Sequence, residues 1–264
     1  EVSPGVNVYV EDWGSGKTIF FIHGWPVSHK MFEYQFTQLP KHGYRCVGID
    51  LRGFGKSDKP WGDYNYNVFA DDVKRVLEVM DLRDVTMAGF SMGGAIAMRY
   101  MAWHSGERVS KVAFLGAAAP CFTQRTDFPH NLPKSAIDDF ITACYSDRAQ
   151  LLVDFGKIFF LAEDSVSPKL GDWFHSLGME ASSHATAMSL VELRDADCRD
   201  DMSKITIPTG IFHGTQDKIC SFQLAEAMHR GIPGSHIIRF EQSGHGMVVD
   251  ETEKFNRELM DFVG

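Results

Sequence analysis

The sequence is poor in the features that mark secreted, membrane-spanning or nucleic-acid-binding chains. Its five cysteines, Cys46, Cys121, Cys144, Cys198 and Cys220, are odd in number and form no C-x-x-C pair. That argues against a disulfide framework and against a zinc ribbon. Thiols in a reducing cytosol are the expected state, and the cytoplasm is the expected location. No signal-peptide pattern is visible, although the chain begins at Glu1 rather than Met, which leaves an earlier leader open. No run reaches the roughly 18 apolar residues of a membrane span. The most apolar stretch, Val85 to Met98, is interrupted by three glycines and a serine. Positive charge is in deficit: 26 basic side chains against 35 acidic ones give a formal net charge of -9. Such a field repels phosphate backbones, so nucleic acid is not an expected partner. There is no internal repeat, low-complexity tract or Pro/Ser-rich linker.

What is present is a chain of 264 residues, 44% apolar and 23% charged, enough for one large α/β domain with a small insertion. Short β-rich runs alternate with amphipathic stretches. Asn7–Trp13 alternates with period two and predicts an edge strand. Thr18–Ile22 is a solid apolar run of the kind that forms buried parallel strands. Met31–Leu39 predicts a helix, Arg45–Ile49 a strand, Val68–Met80 a helix, Val85–Ala88 a strand, Gly94–His104 a helix and Val109–Leu115 a strand. This rhythm is that of a mostly parallel, doubly wound sheet. It breaks after Ala119. Residues 120–200 read as several short helices without convincing strands, with Pro133 placed to start one of them. Strand and helix alternate again at Thr209–Phe212, Phe222–His229, His236–Phe240 and about Glu251 to Phe262. The expected organisation is an α/β core, residues 1–119 and 201–264, interrupted by a helical cap insertion, residues 120–200, too long to be a bare connection.

The segment most informative about chemistry is Gly89-Phe90-Ser91-Met92-Gly93, a G-x-S-x-G pattern. A strand leads into it and a helix leaves it, which is the context the pattern requires for a nucleophilic serine on a sharp turn. The same residues can also be a Gly/Ser turn that only starts a helix; the flanking elements weigh against that. The helix places its first N–H groups near an anion forming on a substrate. One oxyanion donor is then the amide of Met92, and the best second donor is the amide of Trp25, after His23-Gly24 at the end of a strand. Pro26 has no N–H, and it biases Trp25 towards extended backbone. His23 reads as a buried imidazole that holds this loop.

A base is expected late, between the last strand and last helix, where Ser243-Gly-His-Gly246 supplies His245. An acid is expected just past the preceding strand, where His213-Gly-Thr-Gln-Asp217 supplies Asp217. Asp217 would accept from Nδ1–H of His245, fix its tautomer and stabilise the imidazolium. The segment Gly116–Pro120, where some hydrolases place the acid, holds no carboxylate. Asp250 lies too near His245 and is expected to start the last helix. Asp50 is expected to organise a loop. The order Ser91, Asp217, His245 suits this architecture.

Two patterns mislead. Gly14-Ser-Gly-Lys-Thr18 resembles half a P-loop, but its first glycine would fall at Glu11 and a strand follows. Gly53-Phe-Gly-Lys-Ser-Asp58 has Asp58 in place of a third glycine and no helix after it. His213, Asp217 and His245 could converge on a metal, but a nucleophilic serine needs none, so neither metal nor cofactor is expected.

The segments FIHGWPVSHKMFEYQ, GYRCVGIDLRGFGKSDKP, VTMAGFSMGGAIAMRY and IFHGTQD together resemble the cofactor-free (non-heme) haloperoxidase group of α/β-hydrolases, with its aryl esterases, perhydrolases and γ-lactamases. The resemblance covers nearly the whole chain. It extends to Phe159-Phe160 and to Ser167-Pro168 with Asp172-Trp173-Phe174, which look like that group's cap. It implies an α/β-hydrolase fold and hydrolysis of small esters, or of lactones and lactams, through an acyl-enzyme. Water or hydrogen peroxide would be the acyl acceptor, and peroxide would yield peroxyacids. Trp25, Phe90, Phe159 and Phe160 are the expected substrate-binding aromatics beside Met92, although Phe159 and Phe160 can equally pack the cap. Lys218-Ile-Cys220 in the acid loop and Gly-Met-Val after His245 depart from the group's pattern and leave the acyl and leaving-group preferences open. Two rivals use the same scaffold: a small-molecule receptor with slow turnover, and a hydroxynitrile lyase, for which no lysine is obviously placed. Dehalogenase and epoxide-hydrolase chemistry would need a carboxylate where Ser91 stands. The sequence leaves natural substrate, stereochemistry and oligomeric state open; a homo-oligomer is compatible with it.

Overall fold

A computed structural model describes residues 1–162 and 164–264. Among the described residues seven strands form one sheet: β1 (Val10–Gly14), β2 (Lys17–Ile22), β3 (Tyr44–Ile49), β4 (Val85–Phe90), β5 (Val109–Leu115), β6 (Thr209–Gly214) and β7 (His236–Phe240). Their spatial order is β1-β3-β2-β4-β5-β6-β7. Only the edge strand β1 runs antiparallel, against β3; every other pairing is parallel. All residues of β4 and β6 are buried, as expected for central strands covered on both faces.

The helices are α1 (Glu33–Gln38), α2 (Tyr66–Val79), α3 (Met92–Trp103), α4 (Lys134–Ser146), α5 (Arg148–Phe159), α6 (Pro168–Glu180), α7 (Ser183–Asp195), α8 (Phe222–Gly231), α9 (Met247–Asp250) and α10 (Thr252–Val263). Side-chain caps start several of them. Asn65 accepts from the Val68 amide before α2, Asp147 from Gln150 before α5, and Ser167 and Ser182 from Leu170 and Ala185 before α6 and α7. Pro133 immediately precedes α4. Helices α4 to α7 all fall between β5 and β6, and the described residues of that stretch add no strand to the sheet. Its only β features among the described residues are the isolated bridges Thr123–Leu132 and Arg125–Phe128. No helix among the described residues is long and apolar enough to cross a membrane.

Two expectations shift in extent. The edge strand starts at Val10 rather than Asn7, because the Asn7 and Tyr9 amides are taken by the side chains of Asp58 and Ser57 instead of a neighbouring strand. The helix expected over Met31–Leu39 is split into a 3-10 turn (His29–Phe32), α1 and a second 3-10 turn containing Pro40, since proline lacks the amide needed to continue an α-helical ladder.

The strand order sets the location of the site. From β2 the chain moves outward to β3, then crosses back to β4 and builds the sheet in the other direction. The order therefore reverses between β2 and β4, and the crevice at the carboxyl ends of such strands is where open α/β sheets place their ligands. Ile22 pairs with Gly89 across that reversal, so the loop after β2 meets the turn after β4. The approach requires missing side chains. A Cβ on Gly93 would lie 2.3 Å from the Ile22 carbonyl oxygen, and one on Gly24 would lie 2.8 Å from Ser91 Cβ. Substituting Gly93→Ala is expected to destabilise the fold by about 1–3 kcal/mol, as overpacking against backbone that cannot yield does; a urea titration followed by tryptophan fluorescence measures it. An unchanged midpoint and slope would show that the crossing of β2 and α3 is looser than described.

Candidate active site

Ser91 follows β4 directly and precedes α3. It adopts φ 53°, ψ -118°, a positive-φ conformation that L residues rarely take. The turn is tied down on three sides. The Ser91 amide donates to the Leu115 carbonyl, while its carbonyl accepts from Gly94 and Ala118. A Cβ on Gly89 would sit 2.3 Å from the Gly93 carbonyl oxygen, so strand and helix can fold back this tightly only with glycine there. Met92 is the first residue of α3, where amides lack intrahelical partners and the helix dipole is positive.

His23 holds the neighbouring loop. Its Nε2 accepts from the Leu51 amide at 3.0 Å, so Nδ1 carries the hydrogen and donates to the Gly24 carbonyl at 2.9 Å. Complete burial pushes its pKa down to about 4, so the ring is a neutral, directional clamp. Trp25 comes next, joined to Pro26 by a cis peptide. Its indole N–H donates to the Thr186 carbonyl in α7 at 2.9 Å.

Asp217 and His245 come together from the loops after β6 and β7. His245 Nδ1 lies 2.7 Å from Asp217 Oδ2. A carboxylate only accepts, so Nδ1 carries the hydrogen and Nε2 keeps its lone pair. That Nε2 is buried and has no hydrogen-bonding partner among the described residues. The other Asp217 oxygen accepts from the Ile219 and Cys220 amides, both at 2.8 Å. His213 donates from Nε2 to the Cys220 carbonyl at 2.7 Å, closing the same turn, and burial holds its pKa below the usual histidine value. Burial drives the pKa of the Cys220 thiol far up, so it stays protonated. Asp217, Cys220 and His245 bring one ligand-type atom each within 4.8 Å of one another. Both Asp217 oxygens already accept hydrogen bonds, Oδ2 from His245 and Oδ1 from the Ile219 and Cys220 amides. His213, named with Asp217 and His245 as a conceivable metal trio, acts on the turn.

Of the expected aromatics, Trp25 shares a small chamber with Ser91. The other walls include Phe122, Ile137, Phe155, Leu190 and Ile219. Phe90 and Phe159 instead pack against the His245 ring, with centroids 4.8 and 5.3 Å away. Phe159 and Phe160 line a neighbouring cavity in which Ser91 has no part. Sequence reasoning missed Phe155, an aromatic at helical spacing that is indistinguishable from core, and it misread Asp250. That residue ends α9 instead of starting the last helix. Its carboxylate accepts from Gly244 at 2.9 Å and from Leu161 at 3.1 Å, joining the His245 loop to the end of the α5 segment. The Gly246 amide makes a parallel link to the Phe159 carbonyl at 2.8 Å. Asp50 does organise a loop: it accepts from the His29 and Lys56 amides, the latter inside the Gly53–Asp58 segment.

With this geometry, comparisons with known proteins identify the class. Residues 17–252 match the family model for the alpha/beta hydrolase fold. The chain belongs to that family. It is 49% identical over 257 residues to the AB hydrolase superfamily protein YisY of Bacillus subtilis, covering 97% of this chain and 95% of that one. It is 31% identical to the non-heme chloroperoxidase CPO-A1 of Kitasatospora aureofaciens, over 98% and 96% of the two chains. Among solved structures, an esterase from Exiguobacterium antarcticum superposes with a TM-score of 0.96 at 46% identity, covering 98% of this chain and 96% of that one.

Burial raises the Asp250 carboxyl to about 6, against the hydrogen bonds it accepts from Gly244, Leu161 and Ser165. A folded-state pKa above the unfolded one means that the favourable contribution is present at low pH and is lost as pH rises through about 6. Asp250→Asn imitates the protonated form. Its melting temperature relative to wild type should therefore rise between about pH 5 and about pH 8. Parallel melting curves across that range would show that the Asp250 charge is not paying a burial cost.

Proposed function

We propose that this chain is a serine hydrolase that cleaves small carboxylic esters through an acyl-enzyme, with Ser91 as nucleophile, His245 as base and Asp217 as the orienting acid. The observation that carries the reading is the buried His245 ring. Its Nδ1–H is fixed on Asp217, its Nε2 has no partner among the described residues, and its ring packs 4.8 Å from that of Phe90, the residue immediately before Ser91. A tautomer held this way leaves Nε2 ready to take a proton.

Nε2 accepts the Ser91 proton as Oγ attacks the ester carbonyl. The Met92 and Trp25 amides stabilise the oxyanion. His245 then protonates the departing alcohol and activates water, which releases the acid and restores Ser91. Hydrogen peroxide in place of water would release a peroxyacid, in line with the resemblance to perhydrolases. Lactones and lactams fit the same steps. In this reading, residues 120–200 act as a cap over the core formed by 1–119 and 201–264. Trp25 shapes the acyl site directly, while Phe90, Phe159 and Phe160 wall the base and the adjoining cavity. Five buried cysteines without a disulfide support a cytoplasmic setting.

Ser91→Ala should remove nearly all turnover of p-nitrophenyl acetate while melting like wild type. Asp217→Asn should lower kcat by a factor on the order of 10⁴, through the wrong histidine tautomer. A folded Ser91→Ala protein with near-normal kcat would sink the assignment. Slow single-turnover kinetics on all simple esters would favour a receptor. Running the same esters with peroxide and titrating peracetate tests the acyl acceptor: no peracid at any peroxide concentration would restrict the enzyme to hydrolysis.

A further inference from the structure

Two spaces, both lined mainly by apolar residues, lie side by side near Ser91. The chamber that contains Ser91 and Trp25 offers about 30 Å³, room for roughly one water-sized group. The cavity between α5 and α6 offers about 400 Å³, with Pro26, Phe160 and Phe174 in its wall. That is within the range of small-molecule sites, about 300–1,000 Å³. Among the described residues, Phe155 is the one that lines both.

The partition has one side held by a hydrogen bond and one held by ring contacts alone. Trp25 is fixed, because its indole N–H is held by the Thr186 carbonyl. Phe155 meets it edge-on, with ring centroids 5.0 Å apart at 89°, and lies 6.0 Å from Phe159. A phenyl ring has no polar tether, and Phe155 is only partly buried. Its helical neighbour Gly156 and, on α6, Gly171 leave open space where a Cβ would project, with no atom within 4 Å. The volume of the larger cavity thus exists partly because these two helix positions carry no side chain.

We propose that Phe155 is a gate between the Ser91 chamber and the α5–α6 cavity, and that this cavity is a binding subsite for the long apolar arm of an ester substrate. This rests on the serine-hydrolase reading above. With the ring in place, only a very short acyl group fits beside Ser91. With the ring turned aside, a medium-length alkyl or aryl chain can run past Trp25 into the larger space.

The test measures kcat/KM for p-nitrophenyl esters from acetate to decanoate, and for acetates of alcohols of matching length. Phe155→Ala should raise the long-to-short ratio in one of the two series by tenfold or more. Phe155→Leu serves as a second variant that keeps the core filled if the alanine protein melts early. Adding Gly171→Leu to Phe155→Ala fills the subsite from its far wall and should reverse the gain; leucine is also the better helix former there. An unchanged ratio in both series, or a gain that Gly171→Leu leaves intact, overturns the gate. Ser91→Ala is run in parallel. If it is inactive while the ratio is unmoved by Phe155→Ala, the gate fails and the hydrolase reading stands. If it remains active, the hydrolase reading itself fails.

Discussion

Ser91 occupies backbone space that costs an L residue about 1–3 kcal/mol, and much of the surrounding structure serves to hold it there. Its φ of 53° turns the chain from β4 into α3 within one residue. The turn survives because Leu115, Gly94 and Ala118 supply backbone hydrogen bonds to it, and because Gly24, Gly89 and Gly93 leave the space it needs. The same close approach brings the end of β2 against the start of α3. Gly24 therefore comes against Ser91 as a consequence of the sheet order, with β2 hydrogen-bonded directly to β4.

Asp217 and His245 are held by a different device. Their loops are anchored by buried groups whose charge state burial itself controls. His213 stays neutral and closes the turn that presents Asp217. Asp217 divides its two oxygens between that turn and His245. On the far side of the ring, Asp250 and the Phe159 carbonyl fasten the His245 loop to the α5 segment. Gly244 and Gly246 are glycines because Phe159–Leu161 lie too close for a side chain there: a Cβ would fall 2.7 Å from Phe160 backbone and 2.8 Å from its ring. The His245 loop and the helices between β5 and β6 are thus one packed unit.

These features were not equally legible in the sequence. Apolar runs and the glycine spacing around Ser91 announce the sheet and the turn, because buried parallel strands and a collision-free elbow need those residue types locally. Asp217 and His245 were readable by position, since loops at the carboxyl ends of successive parallel strands face the same way. Phe155 and Asp250 were not. An aromatic on an amphipathic helix looks the same whether it packs a core or divides two cavities, and only the placement of α5 against Trp25 separates the cases. Asp250 looked like a helix start because acidic residues are common there. Its actual partners, Gly244 and Leu161, include one 89 positions away, beyond any local pattern. The boundary of β1 was missed for the same reason, its preceding amides being claimed by Ser57 and Asp58.

The composition of the Ser91 chamber bears on how such a site would distinguish substrates. Ser91 carries the one hydroxyl among its described lining residues; the rest are aromatic or aliphatic, and the Trp25 N–H is already engaged. In so dry a space, charge developing on a substrate oxygen gains more from nearby amides than it would in water. The walls offer an ester no polar handle beyond the reacting group. In such a chamber the remaining parts of a substrate would be held by apolar area and shape, and one methylene is then worth only about 1–3 kcal/mol of discrimination. A hydrolase built in this way would be selective by volume rather than by functional group, so the position of a single ring in the wall would matter more to its substrate range than any charge in the vicinity.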